Sequence, residues 1–157
     1  MDINKARNLL TQMQACFMES NLKIVTESEY LEQHGYSHYV NFRSYIAGDN
    51  CLAEIQAFVW LKSEIVQFSM FFQQEFPQGT LVHLLALMNG INLSSAGRYW
   101  TSVPGLQKIE FRTSYILPGD ELDKELFKSV LKKFVDQGLL QYGYFKERMM
   151  NASGLIN

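Results

Sequence analysis

The sequence predicts an α+β fold: a mainly antiparallel sheet of five or six strands with three helices, in the order α-β-β-β-α-β-β-α. Three observations carry this reading. Apolar residues recur at helical spacing in three separate stretches, near both ends and in the middle of the chain. Between those stretches the period drops to two, with turn residues at the boundaries. The alternating runs come in neighbouring pairs, so hairpins rather than crossovers join the strands. A chain of 157 residues has the size of one domain and buries about two-thirds of its unfolded surface without help from disulfides or metals. One domain over 1–157 is expected, with a loose tail over 150–157.

Ile3, Ala6, Leu9, Leu10, Met13 and Phe17 line one side of a first helix, about 3 to 19, with Asp2 as its N-cap. LKIVTE (22–27) then reads as a short strand, and ESEYLEQHG (27–35) gives mixed signals of loop or helical turn. From Tyr36 to Ile46 the chain alternates, and AGDN (47–50) turns it.

CLAEIQAFVWLKSEIVQFSMFFQQEFP follows, apolar enough for a helix but enriched in β-branched and aromatic residues and interrupted by KSE, which favours two antiparallel strands. If Leu61 pairs with Val66, then Val59, Phe68, Ala57, Met70, Ile55 and Phe72 share one face, while a one-residue shift would mix them with Gln and Ser. That leaves Gln56, Phe58, Trp60, Gln67, Ser69 and Phe71 on the reverse face, half apolar and a candidate for a surface that no helix covers.

Pro77 to Gly79 break the strand, and Thr80 is placed to cap a second helix with Leu81, Leu84, Leu85, Met88 and Ile91 as its apolar stripe. LMNGINLSSAGRYW (87–100) leads from this helix into another hairpin, RYWTSV and KIEFRTSYIL, turned at Pro104-Gly105 as a type II turn would be. In the second of these strands Ile109, Phe111 and Tyr115 alternate with Lys108, Glu110, Arg112 and Ser114, so one face is wet. Asp120, Glu121, Asp123 and Glu125 precede Lys128, Lys132 and Lys133, the charge order that suits a helix dipole. Leu122, Leu126, Phe127, Val130, Leu131, Phe134 and Val135 form the buried stripe of that final helix, and Gly138 and Gly143 are expected to loosen its far end.

Chemistry is harder to find. The glycines of 87–100 resemble a phosphate loop, but such a loop follows a strand, opens a helix and carries a Lys after its last glycine. Here the helix comes first and Arg98 follows Gly97, so the segment reads as a joint: Asn89-Gly90 loosening the helix, Asn92 to Ser95 bonding locally to backbone, Gly97 turning with positive φ. His34 and His38 have ligand spacing for a helix, but Gly35 and the alternation beyond it argue against one, and no zinc pattern completes them. His83 has no evident partner. Cys16 and Cys51 have no nearby His and form no C-x-x-C, which suits a reducing compartment. No catalytic residue, metal or cofactor is therefore expected. Carboxylates 121, 123 and 125 read as a helix start.

A net charge of -2 gives no basic field for nucleic acid. No apolar run is long enough to span a membrane, so a soluble cytoplasmic protein is expected. Phe58, Trp60 and Phe71 remain, either as core beneath an element not recognised in the sequence or as the interface with a protein partner or a second copy.

The stretch from Leu87 to about Tyr144 resembles the YbjN-like family, also described as bacterial sensory transduction regulator-like, whose fold is that of the type III secretion chaperones. The features in common are LMNGINLSSAG with its spaced Asn89 and Asn92, the aromatic strand RYW, KIEFRTSYIL with Phe111-Arg112, and the long final helix with an acidic start. Segment 22–50 is longer than that pattern. The resemblance implies a small cytosolic bacterial protein, often dimeric, that binds other proteins or acts in regulation, without catalytic residues. The other reading open to the sequence is a small-ligand binder or enzyme with a pocket between sheet and helix, Tyr and His supplying its polar contacts.

Overall fold

Asp2 starts the first helix. Its backbone is extended and its side chain accepts a hydrogen bond from the Lys5 N–H at 2.9 Å, so α1 runs Ile3–Glu19 from a true N-cap. Asn21, with φ 60°, ends it: the Leu22 N–H reaches the Phe17 carbonyl at 2.9 Å and the Asn21 N–H that of Met18 at 3.0 Å. This is the Schellman arrangement, with Asn in the left-handed position and the apolar pair Leu22 and Phe17 closing it. The computed structural model describes residues 2–31, 38–48, 51–60, 65–73, 76, 79–94, 97–103, 108–116 and 121–153.

Four strands follow, β1 (Lys23–Leu31), β2 (His38–Gly48), β3 (Cys51–Trp60) and β4 (Ile65–Gln73), then α2 (Leu81–Ser94), β5 (Arg98–Val103), β6 (Lys108–Ile116) and α3 (Lys124–Ser153). They form one six-stranded sheet in the order β1-β2-β3-β4-β6-β5, and every neighbouring pair is antiparallel. The α+β class and its succession of elements are those expected, with four strands between α1 and α2. β1 reaches further than 22–27, and a bulge interrupts its pairing with β2 between Ile24 and Thr26. Tyr36, the turn residues 49–50 and Pro104-Gly105 lie outside the described residues.

The β3–β4 hairpin sorts its side chains as expected but pairs them differently. Val59 faces Val66, Ala57 faces Phe68, Ile55 faces Met70 and Ala53 faces Phe72, an offset of two residues from a pairing of Leu61 with Val66. A two-residue slip leaves every side chain on its own face, which is why hydrophobic sorting alone could not detect it. All eight residues are fully buried. The sheet meets the helices through ring contacts: Phe68 stacks on Phe17 of α1 and meets Phe127 and Phe134 of α3 at a tilt, and Phe111 lies parallel to Phe134 with centroids 5.1 Å apart.

Three expectations about the helices are corrected. In α2, Leu84 and Met88 are buried, but Leu81 and Leu85 stand 44% and 38% exposed. This helix packs mainly along β5 at the sheet margin, where only a narrow stripe is covered. α3 starts at Lys124, with Asp123 as its cap accepting from the Leu126 N–H at 3.0 Å, so Glu121 and Asp123 precede the helix. Nor do Gly138 and Gly143 loosen it, because α3 continues unbroken through both to Ser153, past position 150. At Gly138 the helix comes close to the sheet. A Cβ there would lie 2.9 Å from Met70 Sδ and 3.0 Å from Phe111 Cδ1, so the missing side chain lets the helix sit down on β4 and β6.

Candidate functional site

Among the described residues, the buried apolar side chains of the sheet point to the side where the three helices lie. Alternation therefore dictates what occupies the other side: Arg43 and Tyr45 of β2, Glu54, Gln56, Phe58 and Trp60 of β3, Ile65, Gln67, Ser69 and Phe71 of β4, with Lys108, Glu110, Arg112, Ser114 and Ile116 of β6 and Tyr99 of β5. No described helix packs on this face. This face combines apolar and charged groups.

The register divides it into two ends. At one end Trp60 pairs with Ile65, and Ile65 with Ile116, which is 74% exposed. Phe58 and Trp60 lie side by side, centroids 6.1 Å apart and rings 23° from parallel. Both are half-buried, and the backbone register sets Tyr39 beside Trp60. At the other end Phe71 pairs with Glu54 on one side and Glu110 on the other. The Lys108 ammonium stands 5.9 Å from the Phe71 ring centroid and reaches Glu54 at 3.4 Å, while Arg43 Nε approaches the same carboxylate at 3.6 Å. Glu110, only 3% exposed although its face is open, is clamped by Arg112 through Nε at 2.9 Å and Nη2 at 2.7 Å. Arg112 also lies over the Tyr99 ring at 5.7 Å, and its hydrogen bonds to the Glu110 carboxylate raise the guanidinium pKa above its ordinary value.

Phe58, Trp60 and Phe71 thus share the expected face, but the first two form a pair and Phe71 belongs to the charged end. Of the charged residues, sequence reasoning finds the wet face of β6 and misses Arg43 and Glu54. Lys108, Glu110 and Arg112 at i, i+2, i+4 signal a charged strand face, but Arg43 and Glu54 join them only through the register across four strands, β2, β3, β4 and β6.

The other candidates dissolve into structure. Asn92 does not bond locally: its Oδ1 accepts from the Trp100 N–H at 2.6 Å and its Nδ2 donates to the Trp100 carbonyl at 2.8 Å. Nor does Asn89-Gly90 loosen α2, which runs on to Ser94. Ser94 does bond locally, to the Ile91 carbonyl at 2.9 Å, and Gly97 turns with φ 70° into β5. The 87–100 segment is a joint that clasps the sheet margin. His34 lies outside the described residues, His38 is in β2 rather than a helix, and His83 is exposed on α2. Among the described residues no group of His, Cys, Asp or Glu could hold a metal. Cys16 is buried in the core, where desolvation, with Glu19 assisting, pushes its thiol up; Cys51 is half-buried at the start of β3. Glu125 bonds Lys128 at 3.2 Å at the helix start.

Clefts of about 610 and 750 Å³ flank α3. The charges of the first are already engaged, Lys128 with Glu19 and Glu125, Lys132 with Asp136. No His lines either cleft, although Tyr142 and Tyr144 line the second. Among the described residues no helix is long and apolar enough to cross a membrane. Comparisons of the chain with protein-family models, curated proteins and solved structures find no match.

Proposed function

We propose that the chain is a non-enzymatic protein-interaction module, chaperone-like or regulatory and of the YbjN-like kind, that works in the bacterial cytoplasm and holds a protein partner or a second copy of itself on the open face of its sheet. One observation carries this reading: a whole sheet face bears aromatic and charged side chains and no described helix lies over it. Strand spacing and rise make that face on the order of 800 Å², the area that one side of a standard protein interface buries. Apolar anchors at one end and polar groups around them are the composition such surfaces favour.

Sedimentation of the intact chain, with Phe58→Ser and Trp60→Ser variants beside it, tests the reading. Association, with itself or with a partner added back, should weaken at least tenfold in both variants, while far-UV circular dichroism and the melting midpoint stay within a few degrees. Variants that unfold would make the two rings core residues. Specific binding of a nucleotide or metal by a chain that remains monomeric would point to the ligand-binding alternative.

A further inference from the structure

On the open face the carboxylates are sunk and the cations stand up. The side chains of Glu54 and Glu110 are 13% and 4% exposed, whereas those of Arg43, Lys108 and Arg112 are 45%, 32% and 32% exposed. Arg112 and Glu110 cancel one for one. Arg43 and Lys108, by contrast, approach the single carboxylate of Glu54 at 3.6 and 3.4 Å, longer than the roughly 2.7–2.9 Å of a full charge-assisted bond. Two cations sharing one anion leave this trio with one net positive charge, on a chain whose overall charge is -2.

We propose that the occupant of this face is an acidic segment of a different protein, with one carboxylate seated between Arg43 and Lys108 and an apolar side chain resting on the Phe58–Trp60 pair. This rests on the interaction reading above and names the partner's chemistry. Glu54 and Phe58 are four residues apart on β3, so the two anchor points lie about 13 Å apart. An extended partner strand spans that distance in about four residues. A second copy is the poorer occupant, because among the described residues of this face no carboxylate stands proud enough to meet the cations of its twin, and like charges brought together are costly. Single-stranded nucleic acid fits less well still. It carries one negative charge per nucleotide, and one surplus cation answers about one phosphate.

The test pans phage-displayed random 12-residue peptides against the full chain, then measures synthetic copies of the enriched peptides by fluorescence polarisation. Enriched sequences should carry an excess of Asp and Glu with Trp, Phe or Leu about four residues away. Their affinity should fall on the order of tenfold or more in Arg43→Gln/Lys108→Gln, hold in Arg43→Lys, and weaken from 50 to 500 mM salt. Lys108→Gln alone, which leaves Arg43 on Glu54, supplies a milder variant should the double one fail to fold. Neutral or basic enriched peptides, or affinities indifferent to both charge variants, would overturn the proposal. Tighter binding of a labelled twelve-nucleotide oligo(dT) than of any peptide would do the same in favour of nucleic acid. Peptides sensitive to Phe58→Ser but not to the charge variants would leave the face as an interface and remove its acidic preference. Peptides sensitive to neither, or no enrichment over an unrelated control protein, would count against both.

Discussion

The side-chain amide of Asn92 takes both backbone groups of Trp100, accepting from its N–H at 2.6 Å and donating to its carbonyl at 2.8 Å. β5 is a margin of the sheet, with β6 on its one paired side. Asn92 supplies what a neighbouring strand would supply at that residue, so the end of α2 both anchors and blunts the margin. Asn92→Ala should cost about 2 kcal/mol in urea denaturation, two part-buried hydrogen bonds at about 1 kcal/mol each. Asn92→Asp, which can accept but not donate, should cost at least as much, because its carboxylate faces the Trp100 carbonyl. If Asn92→Ala were neutral, the amide would be incidental to the margin.

Two glycines of α3 should respond to alanine with opposite signs. At Gly138 the new methyl group meets Met70 Sδ at 2.9 Å and Phe111 Cδ1 at 3.0 Å. The thioether can swing aside, but the aromatic ring lies parallel to Phe134 and cannot easily move, so Gly138→Ala should destabilise by about 1–3 kcal/mol. At Gly143 a Cβ meets nothing within 4 Å, and Gly143→Ala should stabilise by about 0.5–1 kcal/mol through helix propensity. Thermal melts of both variants check the pair.

Tyr115 is 7% exposed and its hydroxyl has no hydrogen-bond partner among the described residues. Tyr115→Phe deletes an unsatisfied buried group while keeping the ring against Phe127, and should be neutral or stabilise by about 1 kcal/mol. Burial, with Asp123 adding to it, raises the pKa of the phenol. A raised folded-state pKa means that the contribution is fully present below the ordinary tyrosine range and is lost as pH rises through the folded value. Wild type should therefore lose stability in alkali more steeply than Tyr115→Phe, as pH-dependent denaturation would record. Parallel curves would show that the phenol titrates alike in both states.

The Glu110–Arg112 pair should behave asymmetrically. Removing the guanidinium strands a carboxylate that is 3% exposed, so Arg112→Ala should cost about 3 kcal/mol. Glu110→Gln, which leaves the partly exposed Arg112 a neutral acceptor and water, should cost about 1 kcal/mol. Chemical denaturation of the singles and of the double variant closes the cycle. Equal costs would mean that water reaches Glu110 after all.

What could be foreseen, and what could not, follows from the range of each interaction. The span of α1, the face sorting of β3 and β4, and the positive φ of Gly97 are local, and periodicity or turn chemistry suffices to expose them. The β3–β4 register is not, because a slip of two residues leaves both faces unchanged. Arg43, Glu54 and Lys108 come from three strands, and only the pairing of β2, β3, β4 and β6 brings them to one place. Gly138 carries no mark of its own either; its meaning lies in Met70 and Phe111, which local helix rules never consult. The open face was visible as a pattern, and its division into an aromatic end and a charged end was not.

Strand order also sets a timetable. β1 to β4 pair each with the next, so a growing chain can build that meander from local contacts alone. β6 then has to settle between β4 and β5, and α3 arrives after every strand that it covers. Until residue 124 and beyond leave the ribosome, Phe68, Met70, Phe72 and Phe111 have no α3 above them, although all four end fully buried. At the usual synthesis rate of about 5–20 residues per second, the thirty residues of α3 take seconds to appear. A nascent chain stalled after Ile116 should accordingly recruit hydrophobic-binding chaperones, and one stalled well beyond Ser153 should release them.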